Sequence, residues 1–280
     1  MVGKLDDLHS SLVKKLWHRI EEDDLPGMSA QLAYYFLFSL FPFLIFLFTL
    51  LPYLSISQNY MLSLLNGFAP TEAMDLIKKN VKDIMDYRRG GLLSFGIIGT
   101  IWSASNGVNA IVLAFNKAYN VKETRSFIVS RGMAVLLTFG MVFVLIAAVL
   151  LPVFGKQIGI FLFSQLGFTK EFLVVWNMLR WVLSALMLFL IFTVLYWIAP
   201  NVKLRCRSAF PGAAFSTVGW IVSSLALSYY VGNFAHYSNT YGSIGAIIVL
   251  MTWMYITAFI IILGGEINAF YSEKNKQKCE

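Results

Sequence analysis

Charge is what this chain has least of. Asp, Glu, Lys and Arg together make 13% of 280 residues, where a soluble domain carries about 25%. Histidine is nearly absent too: His9, His18 and His236 are scattered singly, so no histidine cluster offers a catalytic metal site. The two cysteines, Cys206 and Cys279, form no CxxC pair and no zinc-binding spacing. No GxxxxGK[ST] loop, GxSxG elbow or HExxH pair occurs, which argues against ATP hydrolysis in this chain and against serine or zinc hydrolysis. No cofactor is called for, and no catalytic residue or metal ligand is assigned.

What the chain has instead is long apolar stretches. Six run at roughly 29–54, 91–115, 132–154, 172–199, 209–233 and 242–270, in a sequence that is 58% hydrophobic. About 20 apolar residues in a helix cross the ~30 Å hydrocarbon layer. In lipid each backbone amide must be satisfied within the protein, so helices are the economical reading of all six. The expected fold is an all-α integral membrane protein: six transmembrane helices plus amphipathic interfacial helices at the N-terminus and in the first outer loop. Three parts follow: an N-terminal cytoplasmic amphipathic helix over 1–27, a six-helix transmembrane domain over 28–272, and a short tail over 273–280. The mixed charges of residues 1–28 do not read as a cleavable signal, which needs a continuous apolar core.

The net charge of +7 is informative through its distribution. Fourteen Lys and Arg flank one side of the six spans and seven the other, with Arg180 inside a span. Positive residues favour the cytoplasm, so both termini are placed there. The basic excess therefore reads as topology rather than as a nucleic-acid surface.

Between the spans, Leu5, Leu8, Leu12, Leu16 and Ile20 make one apolar stripe at helical spacing. It fits a helix on the inner membrane surface, or one docked on cytoplasmic loops, closed by Pro26-Gly27. In the long connection 55–90, Met74, Ile77, Val81, Ile84 and Met85 form a second stripe. The apolar piece Ile158 to Phe168 is too short to span. Pro42 inside the first span predicts a bent helix.

Polar groups within the spans are the candidate functional residues. In the second span, Gly99, Ser103, Asn106 and Asn109 recur every three or four residues and share one face. They suit close helix packing with interhelical hydrogen bonds, or a hydrated path lined by Asn106 and Asn109. Arg180 lies about 12 Å into the fourth span. There it must snorkel, pair with an outer-loop acid (Glu72, Asp75, Asp83 or Asp86), or meet water or an anionic headgroup. Glu266 falls near the inner end of the sixth span, where Lys117 or Lys203 are its expected partners. His236 sits among Asn and Tyr in the last outer connection.

Three stretches carry a family resemblance: AYYFLFSLFPFL in the first span, SASNGVNAIVLAFNKAY in the second, and residues 211–270, opening PGAAFSTVGW and closing ILGGEINAF. They are similar to the YihY/BrkB family of bacterial inner-membrane proteins, and Arg180 in NMLRWVLSALMLF sits where that family's fourth span carries an arginine. The resemblance implies six helices and a multi-pass place in the bacterial plasma membrane. It also implies a link to serum resistance in a pathogen and to movement of amphiphilic or envelope molecules. The older label ribonuclease BN travels with it. A metal-dependent tRNA-processing hydrolase of that kind needs ligands such as HxHxDH, which this sequence lacks.

The reading that results is a transporter or flippase of an amphiphilic, lipid-like or anionic molecule, not an enzyme. Its partners are membrane lipids and such a substrate, not nucleic acid, and a homo-oligomer is compatible with it. The alternative is a structural or assembly protein of the envelope.

Overall fold

Helices long enough to cross a membrane form over five of the six predicted apolar runs. The computed structural model describes residues 14, 16–53, 90–141, 170–204, 206–234 and 237–276. All regular structure among them is helical. A short helix, α1, covers 16–22. Then come α2 (Leu25–Leu50), α3 (Gly90–Ala118), α4 (Phe127–Met141), α5 (Lys170–Ile198), α6 (Phe210–Phe234) and α7 (Tyr237–Lys276). Five of these, α2, α3, α5, α6 and α7, are long and apolar enough to span. The predicted third span corresponds to α4 at its start, and its remainder, 142–154, lies outside the described residues. So do the loop stripe at 74–85, the piece 158–168, and His236.

No membrane is needed to see which faces are meant for lipid. Phe41, Ile98, Met178, Trp181, Val182, Val218 and Leu225 are all more than half exposed along the spanning helices. A row of large apolar side chains held open to solvent is unfavourable in water, and natural in hydrocarbon. This is a multi-pass membrane protein.

Two compact units divide the chain, 1–34 with 105–280, and 35–104. Within the smaller unit, a Cβ at Gly96 would meet the Phe46 backbone nitrogen at 2.7 Å, and one at Gly99 would meet the Pro42 ring at 3.0 Å. The glycines of α3 and the proline of α2 thus lie at a close helix crossing. Pro42 is inside α2, which continues to Leu50.

The larger unit is built on a tight crossing of α6 and α7. A methyl at Gly212 would collide with the Gly264 carbonyl, and one at Gly264 with Ser216 Oγ and Tyr196 Oη. That closeness lets side chains bond the facing backbone. The Gly212 N–H donates to Asn268 Oδ1 (2.7 Å), and Asn268 Nδ2 donates to the Ala209 carbonyl (3.2 Å). Tyr196 on α5 joins them: its hydroxyl is 2.5 Å from Ser216 Oγ and 2.8 Å from the Ile261 carbonyl. Ser216 in turn reaches the Ile260 carbonyl at 3.1 Å. Two hydroxyl protons are available for these three contacts, so two are donated bonds at any moment and the Tyr196–Ser216 bond competes with one of the bonds to a carbonyl. Phe115 of α3 stacks against Tyr196, ring centroids 5.0 Å apart, and fills the space over Gly265.

Helix ends are closed by polar side chains. Asp24 (φ 52°) ends α1 in the left-handed conformation, and its Oδ1 accepts the Gly27 N–H at 3.3 Å to open α2. Pro26 and Gly27 therefore start a helix, where proline's missing N–H costs nothing. Asn120 (φ 52°) closes α3, with the Val121 N–H reaching back to the Asn116 carbonyl at 2.9 Å. Arg125 caps α5 by donating to the carbonyls of Ala199 and Pro200, each at 3.0 Å. Buried Asn116 links the same loops, donating to Glu123 (2.8 Å) and accepting the Asn201 N–H (2.6 Å).

Two expectations follow, both read as thermal stability in detergent. Gly212→Ala forces backbone against backbone and costs about 2–3 kcal/mol, whereas Gly132→Ala, with nothing within 4 Å of its Cβ, is neutral or mildly stabilising. Arg125→Met removes charge-assisted bonds to the α5 end and costs about 2 kcal/mol. Equal melting of Gly212→Ala and wild type would contradict the crossing described.

Candidate functional site

Besides the clusters that close helix ends and tie the α6–α7 crossing, the described polar residues of the larger unit include one group part-way along α3 and one at the end of α7. Asn106 occupies the first. The Arg131 Nη1 of α4 donates to its Oδ1 at 2.6 Å. Twelve residues separate Asn106 from the Ala118 end of α3, about 18 Å along the helix axis. A guanidinium is thus engaged roughly halfway along a spanning helix. Arg131 follows from no motif: in the sequence it counts as one more flanking charge. Its only signal is its place at the edge of an apolar run, opposite a helix that carries amides.

The other singled-out residues do not all converge there. Asn109 is half-buried on α3, one turn from Asn106. Ser103 is buried on α3 but belongs to the smaller unit. Arg180 is half-buried on α5, and its backbone carbonyl accepts the Ser184 hydroxyl at 2.9 Å. The partner the structure brings to Asn106 is Arg131 rather than Arg180.

Glu266 anchors the second place. Its side chain is 0% exposed, with Oε2 3.5 Å from Arg19 Nη1. Arg19 makes its short contact elsewhere, 2.6 Å to Glu273 Oε2, and its guanidinium lies 5.9 Å from the Phe270 ring centroid. The expected partners of Glu266 were Lys117 or Lys203. Lys117 instead donates to the Asp23 backbone carbonyl at 2.6 Å and stands 3.9 Å from Asp23 Oδ1. The reason is geometric: α1 lays Arg19 against α7, nearer to Glu266 than any lysine of the α3 end. Glu266 Oε1 is buried and meets no hydrogen-bond donor among the described residues. The Tyr119 hydroxyl is likewise buried without a partner. Burial, and then the charge of Glu266, hold that phenol above its ordinary range, so it stays neutral. Asn268, two residues from Glu266 and on another face of α7, serves the α6 crossing instead.

Along α1, Trp17 is exposed and donates to Glu21 at 2.7 Å, while Arg19 turns inward. Among the described residues no three His, Cys, Asp or Glu converge as a metal site.

Comparison with known proteins places the chain. The sequence profile described as Virulence factor BrkB matches residues 16–280. A protein of Bacillus subtilis (strain 168) named as ribonuclease-like, YfkH, is 50% identical over 266 residues, covering 95% of this chain and 97% of that protein. Proteins named UPF0761 membrane protein are more distant: one from Alteromonas mediterranea is 23% identical, covering 98% of this chain and 91% of its own length. Another, from Aeromonas salmonicida, is 26% identical, covering 95% and 90%. No solved structure matches. With its multiple apolar spans and a profile match over nearly its whole length, the chain belongs to the BrkB (YihY/BrkB, UPF0761) family of membrane proteins.

Proposed function

We propose that this protein moves an amphiphilic, lipid-like or anionic molecule across the bacterial plasma membrane, along a path that uses Arg131 and Asn106. The observation that carries the reading is the 2.6 Å Arg131–Asn106 contact, about 18 Å from the end of α3. A cation in the hydrocarbon region is expensive, and where it occurs it commonly serves an ion or substrate pathway. Arg180 supplies a second cation on a spanning helix for the same class of anionic group.

In this reading a sixth span continues from α4 through the apolar run to residue 154, and both termini face the cytoplasm. The charge asymmetry of the flanking segments supports that orientation. The protein is not an enzyme in this reading, because its sequence offers neither clustered hydrolase ligands nor an activated nucleophile. The ribonuclease-like name of the Bacillus relative carries no residue that would change this. Lipids and the transported molecule are the partners, with no nucleic acid.

Proteoliposomes test it directly. Wild-type protein should accelerate transbilayer movement of a fluorescent phospholipid or of an anionic amphiphile above protein-free vesicles. Arg131→Gln and Asn106→Leu should each slow it at least about tenfold, the loss of roughly 1.4 kcal/mol of pathway stabilisation, at equal reconstituted amounts. Lys203→Gln, at the membrane surface, should not. Full rate in Arg180→Leu would remove Arg180 from the path. No movement of any such probe by wild-type protein would leave an envelope assembly role as the better account.

A further inference from the structure

Arg131 reaches Asn106 only because the chain climbs a long way back along α3 before it gets there. Buried Asn116 donates to Glu123 at 2.8 Å, and Arg131 donates to Asn106 at 2.6 Å. The stretch 123–131 therefore runs against α3 from the level of residue 116 to that of residue 106, about 15 Å of helix. Four steps of α4, from Phe127 to Arg131, supply about 6 Å of that rise. The remaining ~9 Å fall to the Arg131 side chain and to the four non-helical steps before Phe127, which span at most about 14 Å. The level at which this loop is fastened thus decides what the guanidinium can reach.

Arg125 does the fastening. Its guanidinium donates to the carbonyls of Ala199 and Pro200, each at 3.0 Å, just beyond the end of α5. Its backbone N–H donates to Glu123 Oε1 at 2.9 Å. Glu123 is the residue that Asn116 holds, and Asn116 also accepts the Asn201 N–H at 2.6 Å. Asn201 closes the ring by donating to the Lys122 carbonyl (2.9 Å) and to Thr124 Oγ1 (2.8 Å). The planar fork of an arginine holds two carbonyls in a fixed geometry, where lysine offers a mobile point charge. A cap for α5 alone would need none of the bonds to Glu123 and Asn116. We propose that Arg125 is a positioning residue for Arg131: its clamp on the α5 end sets the level of α4 against α3, and so holds Arg131 on Asn106. The consequence for movement rests on the transport reading; the geometry does not.

Cross-linking tests the geometry and proteoliposomes the consequence, both on the full-length chain. In a Cys206→Ser, Cys279→Ser background, the pair Asn106→Cys and Arg131→Cys should be joined by a short bifunctional thiol reagent. Arg125→Met should slow that joining about fivefold, as the two positions lose effective concentration, and Arg125→Lys should recover part of it. Asn201→Ala, which removes only the bonds to Lys122 and Thr124, should slow it about twofold. That milder variant covers the case in which Arg125→Met folds poorly. In proteoliposomes at equal folded amounts, Arg125→Met should slow probe movement about fivefold when Arg131 is present. In the Arg131→Gln background it should slow movement less than about twofold, because the residue it positions is gone. Equal joining rates with and without Arg125→Met and Asn201→Ala would overturn the proposal. So would equal slowing by Arg125→Met in both backgrounds, the mark of a merely structural role. Cross-linking that follows Arg125 while wild-type protein moves no probe would uphold the positioning and remove the transport reading.

Discussion

The larger unit depends on how closely α6 and α7 approach at Gly212 and Gly264. Lipid tails are as apolar as leucine, so no hydrophobic force draws two spanning helices together. Packing and interhelical hydrogen bonds must do it, and both require backbones near one another. With no Cβ at either glycine, Asn268 can bond the Gly212 N–H and Tyr196 can reach the Ile261 carbonyl. Ser216 completes the knot, and Phe115 stacks over it from α3. The spanning helices α3, α5, α6 and α7 are thus tied at one level by side chains that all find partners.

That tie sets the stage for the charges near it. Asn268 and Glu266 are neighbours in α7, yet one is spent on the helix crossing and the other faces the chain end. The crossing holds α7 in place, so Glu266 is presented to Arg19 of the segment that precedes α2. Its neighbours decide its chemistry more than its own residue type does. A glutamate at a helix end open to water needs no partner; one as fully buried as Glu266 needs a compensating charge, which Arg19 brings. The same logic applies along α3, where Asn106 becomes interesting through the guanidinium that reaches it.

Much of the architecture could be read in advance because it rests on one-dimensional quantities. Stretch length, apolar content and glycine or proline placement set α2, α3, α5, α6 and α7 to within a few residues of the expected spans. Pro26-Gly27, expected to close the first helix, instead open the next one, because the Asp24 side chain caps the Gly27 amide. Asn106 and Glu266 were legible as polar residues within apolar runs. Their partners were not. Arg131 and Arg19 look like ordinary flanking charges, and pairing across 25 or 247 residues leaves no local pattern.

Sequence by itself determined that this is a membrane protein of several helices and which positions on them are polar, since the cost of exposing backbone and charge to hydrocarbon acts residue by residue. It also carried the family likeness, most of all through the wording of residues 211–270. Only the tertiary structure decided which polar groups meet: Arg131 with Asn106, Arg19 with Glu266, Tyr196 with Ser216. Hydrogen bonds and ion pairs act over a few ångströms, and only packed helices bring residues so distant in the chain within that range.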